Sequence, residues 1–162
     1  MDKVGKKPAR PMDVALRALA RRRMTSGQMR NLLLKRGCGQ EESEQCIEQL
    51  SSWGYLDDRG YAKDLLRFML SDCPVGKQRA IYDLVKRGFD RDLAEEAAAE
   101  AYGDVSEAYL ARRAASKYLN GRKAGSLKDR DRERLFRWLW RRGFEADAIY
   151  AALRDEDEQA LT

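Results

Sequence analysis

The chain has 162 residues, of which 43% are hydrophobic and 36% are charged, and its formal net charge is +5. This composition allows a hydrophobic core with much exposed helix surface, and the charge favours acidic partners such as nucleic acid without establishing them. No apolar run approaches the roughly 18 residues of a membrane span, and three cysteines without a histidine argue against a zinc site or a disulfide framework. We therefore expect a cytoplasmic protein with no membrane partner, no metal and no cofactor.

Helical periodicity organises the chain between two polar tails. Residues 1–11 are basic and are interpreted as a flexible arm, and residues 155–162 are interpreted as an acidic tail. No segment alternates strictly between apolar and polar residues, so we expect an all-α fold. The apolar patterns predict helices at 12–23, 26–36, 40–53, 58–72, 76–87, 90–102, 104–120, 127–142 and 145–154.

One short phrase occurs three times, each time at the end of a predicted helix. An apolar stretch is followed by two basic residues, a glycine and a packing residue, as in Leu32–Cys38, Asp83–Phe89 and Trp138–Phe144. A glycine there can take the left-handed conformation that closes a helix, and the basic residues face the negative end of its dipole. A recurrence of about 50 residues indicates tandem repeats. We expect an elongated, curved array of three-helix repeats at 12–54, 55–103 and 104–154.

Several polar residues are interpreted as helix caps, and several aromatic residues are interpreted as core residues. Thr25 and Gln28 fit a capping box, in which both side chains cover free backbone N–H groups. Asp57 or Asp58 is expected to cap the next helix, rather than to bind the metal of a nuclease, because no matching carboxylate cluster exists. Five aromatic residues lie mostly at core spacing and are expected in the core rather than as base-stacking platforms: Trp53, Trp138, Trp140, Tyr118 and Tyr150.

Basic residues form the candidate partner surface. Arg21, Arg22 and Arg23 exceed what a helix end needs and are the densest cluster. The basic pairs of the three phrases would lie on one ridge if the repeats stack in register, although each pair alone only needs to stabilise its helix end, by about 0.3–1 kcal/mol. The candidate residues are Arg21, Arg22, Arg23, Lys35, Arg36, Lys77, Arg79, Lys86, Arg87, Arg141 and Arg142.

Three helices in each repeat also suggest a helix-turn-helix reader of DNA. A reading helix presents basic or amide side chains near its N-terminus to base edges. The candidates here begin with Glu41 and Glu42, or with Asp90 and Asp92, which phosphates would repel. Sequence-specific reading is therefore disfavoured. No convergent catalytic residues are found either, so an enzyme is not expected.

The order of several motifs resembles that of the RecX regulatory proteins. Trp53–Asp58 followed by Tyr61-Ala62 is similar to the family's G-Y-[IL]-[DN]-D…[FY]-A block. Leu16–Arg22 precedes it and Leu139–Phe144 follows it, and the resemblance covers about Met12 to Arg154. Two departures stand out. Cys38 replaces the phenylalanine of the other phrases, and residues 74–82 are less basic than in many relatives.

The resemblance implies a non-enzymatic bacterial regulator of recombination, DNA repair and the SOS response. Such a protein lies in the groove of the RecA–DNA filament and restrains RecA ATPase and strand exchange. We expect this chain to act in this way as a monomer and as an inhibitor, through its basic surface. The alternative is a non-specific DNA-binding protein, for single or double strands, that competes for DNA.

Overall fold

A computed structural model describes residues 10–122 and 127–158, with side chains up to residue 154. Within these ranges the chain is all-helical, as expected, and no strand occurs. Residues 1–9 of the expected arm and the acidic side chains from residue 155 lie outside the described residues, whereas Pro11 already belongs to the first helix. The helices are α1 (Pro11–Leu19), α2 (Ser26–Lys35), α3 (Gln40–Ser52), α4 (Asp58–Ser71), α5 (Lys77–Lys86), α6 (Arg91–Tyr102), α7 (Glu107–Leu119), α8 (Asp129–Arg141) and α9 (Ala146–Glu158).

The helices pack in consecutive groups of three, which we call units 1, 2 and 3 (α1–α3, α4–α6 and α7–α9). The first helix is shorter than expected and ends at Leu19 rather than at Arg23. The chain leaves it in a turn because Met24 and Thr25 must reach buried positions before α2 begins.

The recurrent phrase closes α2, α5 and α8 in the same way. Its glycines have φ of +82°, +91° and +84°, which confirms the left-handed conformation. The next residue in each phrase donates its N–H to a carbonyl five residues earlier: Cys38 to Leu33, Phe89 to Leu84 and Phe144 to Leu139. These are Schellman motifs, and all six of these side chains are buried. The phrase is therefore a helix stop that also anchors the core.

The first junction joins the end of α5 to the start of α2. The Thr25 hydroxyl donates to the Gly88 carbonyl at 3.1 Å, and the Gln28 amide donates to the Arg87 carbonyl at 2.7 Å. The expected capping box is thus half correct. Thr25 accepts from the Gln28 N–H at 3.0 Å, but the Gln28 side chain spans the junction because unsatisfied carbonyls of α5 lie within its reach.

The second junction joins the end of α8 to the start of α5. The Gly76 N–H donates to the Arg142 carbonyl at 2.9 Å, and the Arg79 guanidinium donates to the Arg141 carbonyl at 3.4 Å. The Arg142 side chain donates to the carbonyls of Pro74, at 3.1 Å, and Cys73, and it lies 4.8 Å above the Trp138 ring. The three phrase-bearing helices therefore follow one another end to end.

The two aspartates after α3 have separate tasks. Asp57 caps α4 by accepting from the Gly60 N–H at 2.9 Å. Asp58 accepts instead from the Ser26 N–H, with its two oxygens at 2.9 and 3.1 Å, so it satisfies the start of α2 in unit 1. The prediction of a local cap is confirmed for Asp57, whereas Asp58 connects two units.

Two hydrophobic cores fill the array. One holds only unit 1 and its exit residue Leu56, and the other runs continuously through units 2 and 3. The expected core position is wrong for Trp53, Trp140 and Tyr150, whose exposed fractions are 54%, 57% and 54%. Trp53 occupies the C-cap of α3, and Trp140 lies next to buried Leu139, about 100° away around α8.

Candidate partner-binding surface

Four arginines line one groove of about 400 Å³ on unit 1, and we call it the arginine groove: Arg17, Arg21, Arg22 and Arg36. Apolar side chains form its floor, among them Val14, Met24 and Leu32. No carboxylate lines it, so the positive charges are not neutralised within the groove. A groove of this kind suits an anionic partner such as a phosphate or a carboxylate, because guanidinium groups bind both with paired hydrogen bonds.

Two helices bring these arginines together. Arg17 lies in the last turn of α1, and Arg21 lies in the turn of chain that follows the helix. Arg36 is the C-cap of α2, which packs against α1. The sequence analysis did not include Arg17, because it stands as an isolated basic residue within the predicted helix. The four-residue spacing from Arg21 is the signal that would have found it.

The other cluster members are partly engaged inside the array. The Arg23 guanidinium bonds the Asp64 carboxylate of α4 at 2.7 Å and lies 4.6 Å above the Tyr61 ring. This hydrogen bond holds the pKa of Asp64 below its usual range. Arg22 donates to the Gln28 amide oxygen at 3.1 Å, which links the groove to the first junction. Arg23 is thus a structural contact between units 1 and 2.

The phrase cations lie at helix ends and at the junctions. Lys35 is exposed at the end of α2, beside the groove. Lys86 and Arg87 are exposed at the first junction. The second junction holds four cations: exposed Arg79 and Arg141, and half-buried Lys77 and Arg142. Arg79 also pairs with Asp83 at 3.0 Å. The candidate cations are therefore grouped at the two junctions and in the arginine groove.

The described residues show no group of three side chains placed to hold a metal ion. Within 10–122 and 127–158, no helix has the length and apolar character needed to cross a bilayer. The chemistry that the surface offers is binding by charge and by hydrogen bonds.

Comparison with known proteins gives the family. No family model matches the chain. A protein named "Regulatory protein RecX" from Pelodictyon phaeoclathratiforme is 33% identical over 154 residues, which cover 91% of this chain and 93% of that protein. The protein of the same name from Vibrio vulnificus is 32% identical and is matched over 91% of its length, with 89% of this chain. The chain belongs to the RecX family of regulatory proteins.

Solved RecX structures confirm the fold. The crystal structure of RecX from Lactobacillus salivarius superposes with a TM-score of 0.74 at 21% identity, covering 91% of this chain and 95% of that one. A second structure, titled as regulatory protein RecX, gives a TM-score of 0.69 at 20% identity, covering 90% of this chain and 70% of that one. The all-helical repeat array is thus the RecX fold, and the expected family is confirmed.

Proposed function

We propose that the chain is a non-enzymatic regulator that binds the RecA–DNA filament and inhibits RecA ATPase and strand exchange. Membership of the RecX family supports a regulatory role. The observation that carries the binding mode is the arginine groove, which gathers four guanidinium groups without a carboxylate. Such a concentration of unneutralised charge on a folded unit is costly to keep unless it meets an anionic surface.

The proposed contact surface extends from the groove over the first junction. Lys35 adjoins the groove. The Gln28 amide connects the groove to the first junction, because it accepts a hydrogen bond from Arg22 and donates one to the Arg87 carbonyl. Lys86, Lys77, Arg79 and Arg141 continue the positive surface toward unit 3. Arg23 and Arg142 hold units together, so we assign them a supporting role rather than a contact.

The first test neutralises the groove without touching the junctions. Arg17, Arg21 and Arg36 are changed together to glutamine, because within the described residues none of them forms an ion pair. The matched control changes Arg67, Arg91 and Arg134 to glutamine. These residues form only exposed pairs within single helices, so both variants lose three charges at little cost in folding stability.

We expect the groove variant to need about tenfold more protein for half-inhibition of RecA ATPase on single-stranded DNA. This follows from about 0.5 kcal/mol for each of three exposed charges. The control variant should stay within about twofold of wild type, and circular dichroism should report the same helix content for all three proteins. If the groove variant and the control variant inhibit RecA ATPase equally, the arginine groove does not contribute to inhibition.

The second candidate function is non-specific DNA binding, by which the protein would compete with RecA for DNA. The same positive groove favours it. Phosphate contacts alone weaken steeply with salt, whereas a composite surface with buried apolar contacts is screened less. Binding of wild type to bare DNA and to assembled filament is therefore measured between 50 and 200 mM salt. A flatter salt dependence on the filament supports regulation through RecA. Equal affinities and equal slopes support competition.

A further inference from the structure

Unit 3 carries three neighbouring aromatic rings, two of which face solvent. We call Phe136, Trp140 and Tyr150 the aromatic patch. Phe136 and Trp140 lie one turn apart on α8, with ring centroids 6.4 Å apart and ring planes within 14° of parallel. Tyr150 reaches over from α9 and lies 5.1 Å from the Phe136 ring. Trp140 and Tyr150 are each more than half exposed, and exposed aromatic clusters of this kind mark interaction sites.

An open cavity of about 600 Å³ adjoins the patch. Phe136, Tyr150 and Leu153 give it an apolar wall. Charged side chains form its rim, with three arginines against two carboxylates: Arg132, Arg137, Arg154, Asp129 and Glu133. Its volume and its mixed lining fit a small planar group that carries a negative charge nearby.

The surrounding charge points to a polyanion. Residues 104–154 contain thirteen basic and seven acidic side chains, whereas residues 55–103 contain eight basic and ten acidic ones. The three carboxylates of α8 all lie in its first five residues. From Leu135 to Arg141, where Trp140 lies, the charged residues of α8 are Arg137 and Arg141. In this C-terminal half of α8, the exposed ring is therefore accompanied by cations alone.

We propose that the aromatic patch is a base-stacking site for single-stranded DNA. The exposed faces of Trp140 and Tyr150 take nucleobases, and Arg137 and Arg154 lie close enough in sequence to meet the adjoining phosphates. Every nucleobase has a π-face, so such a site is tolerant of sequence. Bases in a duplex are already stacked and paired, so the site selects single strands. This site is separate from the arginine groove, which lies on unit 1.

A second exposed tryptophan provides the internal control. Trp53 is as exposed as Trp140, but its ring meets the Tyr55 ring edge to face, at 80° and 6.4 Å. It occupies the C-cap of α3, and that helix (Gln40–Ser52) contains no basic residue. The two tryptophans thus differ in charge environment and in the parallel arrangement of neighbouring rings, not in accessibility.

The experiment compares two labelled 20-nucleotide strands with equal numbers of phosphates, an oligothymidylate and an abasic strand, at 50 mM NaCl. Fluorescence anisotropy gives Kd for wild type, Trp140→Ala, Tyr150→Ala, Trp140→Phe and Trp53→Ala. Stacking on one ring contributes on the order of five- to hundredfold in affinity. We expect Trp140→Ala and Tyr150→Ala to weaken oligothymidylate binding by about tenfold and to leave abasic binding unchanged. Trp140→Phe should restore most of the affinity, and Trp53→Ala should match wild type.

Three results would overturn the proposal. If the wild-type protein binds the oligothymidylate and the abasic strand with equal Kd, stacking is excluded. Equal weakening of both strands by Trp140→Ala assigns the loss to charge or to folding. Normal oligothymidylate binding by Trp140→Ala, with lost inhibition of RecA, places a protein partner on the patch. The groove variant separates this inference from the proposed function, because it should lose RecA inhibition while keeping the preference for oligothymidylate.

Discussion

The second junction leaves no room for a side chain at Gly76, so a Gly76→Ala substitution should lower the free energy of unfolding. A Cβ built on Gly76 would lie 1.8 Å from the Gly143 carbonyl oxygen and 2.9 Å from the Phe144 nitrogen. Both neighbours are backbone atoms, so the Gly76→Ala variant must separate α8 from α5 by more than 1 Å. We therefore expect the variant to lose the hydrogen bond of the Gly76 N–H and the two bonds of the Arg142 side chain to the chain before α5.

The expected loss is about 3 kcal/mol, from about 1 kcal/mol for each of three hydrogen bonds. Gly39 is the matched control. It is also the N-cap of its helix, with φ and ψ of −63° and 154° against −65° and 153° at Gly76. Its Cβ would meet only the Glu42 side chain at 3.5 Å, an ordinary contact. Gly39→Ala should therefore cost only the change of cap residue, about 0.5–1 kcal/mol.

Urea unfolding followed by circular dichroism measures both variants. With a slope of about 2 kcal/mol per molar urea, the predicted difference of about 2 kcal/mol separates their midpoints by about 1 M. Midpoints within 0.2 M of each other would show that α8 does not close against the start of α5, and the end-to-end arrangement would lose its support.

Two further predictions concern the first junction and unit 3. Gly88→Val places a β-branched residue at φ +91°, with its Cβ 3.1 Å from the Thr25 hydroxyl, so backbone strain should lower the free energy of unfolding by about 1–3 kcal/mol. Gly37 has a similar φ but open space around it, so Gly37→Val should lower the free energy of unfolding, measured with urea, by less. Equal losses in the two variants would contradict the contact at the first junction. Burial, with the nearby Glu145 charge, raises the pKa of Glu107, so its ionisation costs stability as pH rises through the folded pKa. Glu107→Gln, which can still accept from the Glu145 N–H, should raise the unfolding midpoint at pH 7.5 but not at pH 4, and an equal gain at both would refute this origin.

Local signals predicted most of the helices and their ends. The phrase glycines and the Thr25 and Asp57 caps act within a few residues, so the sequence alone exposes them. Contacts between units were not predictable in this way. Asp58 and Gln28 have the right chemistry for local caps, and only the tertiary arrangement shows that their partners lie 32 and 59 residues away.

The candidate surface was predicted in part. Runs of adjacent arginines indicated Arg21 and Arg22, but the groove depends also on Arg17 and Arg36, which only the packing of α1 on α2 brings together. The aromatic residues were misassigned for a related reason. Helical spacing shows which residues share a face, but it does not show whether another helix covers that face, and at Trp140 none covers more than part of it.

The separation of the two cores divides the molecule into cooperative blocks of unequal size. Unit 1 is joined to unit 2 by hydrogen bonds, an ion pair and a cation–π contact. These contacts run from Thr25 and Gln28 to the end of α5, from Ser26 to Asp58, and from Arg23 to Asp64 and Tyr61. Units 2 and 3 share one apolar interior and cannot part without exposing it to water. Amide hydrogens at Leu33 and Leu50 can therefore exchange through an opening that leaves those at Leu84 and Leu139 protected. Unit 1, which carries the arginine groove, can therefore open while units 2 and 3, which include the aromatic patch, stay folded.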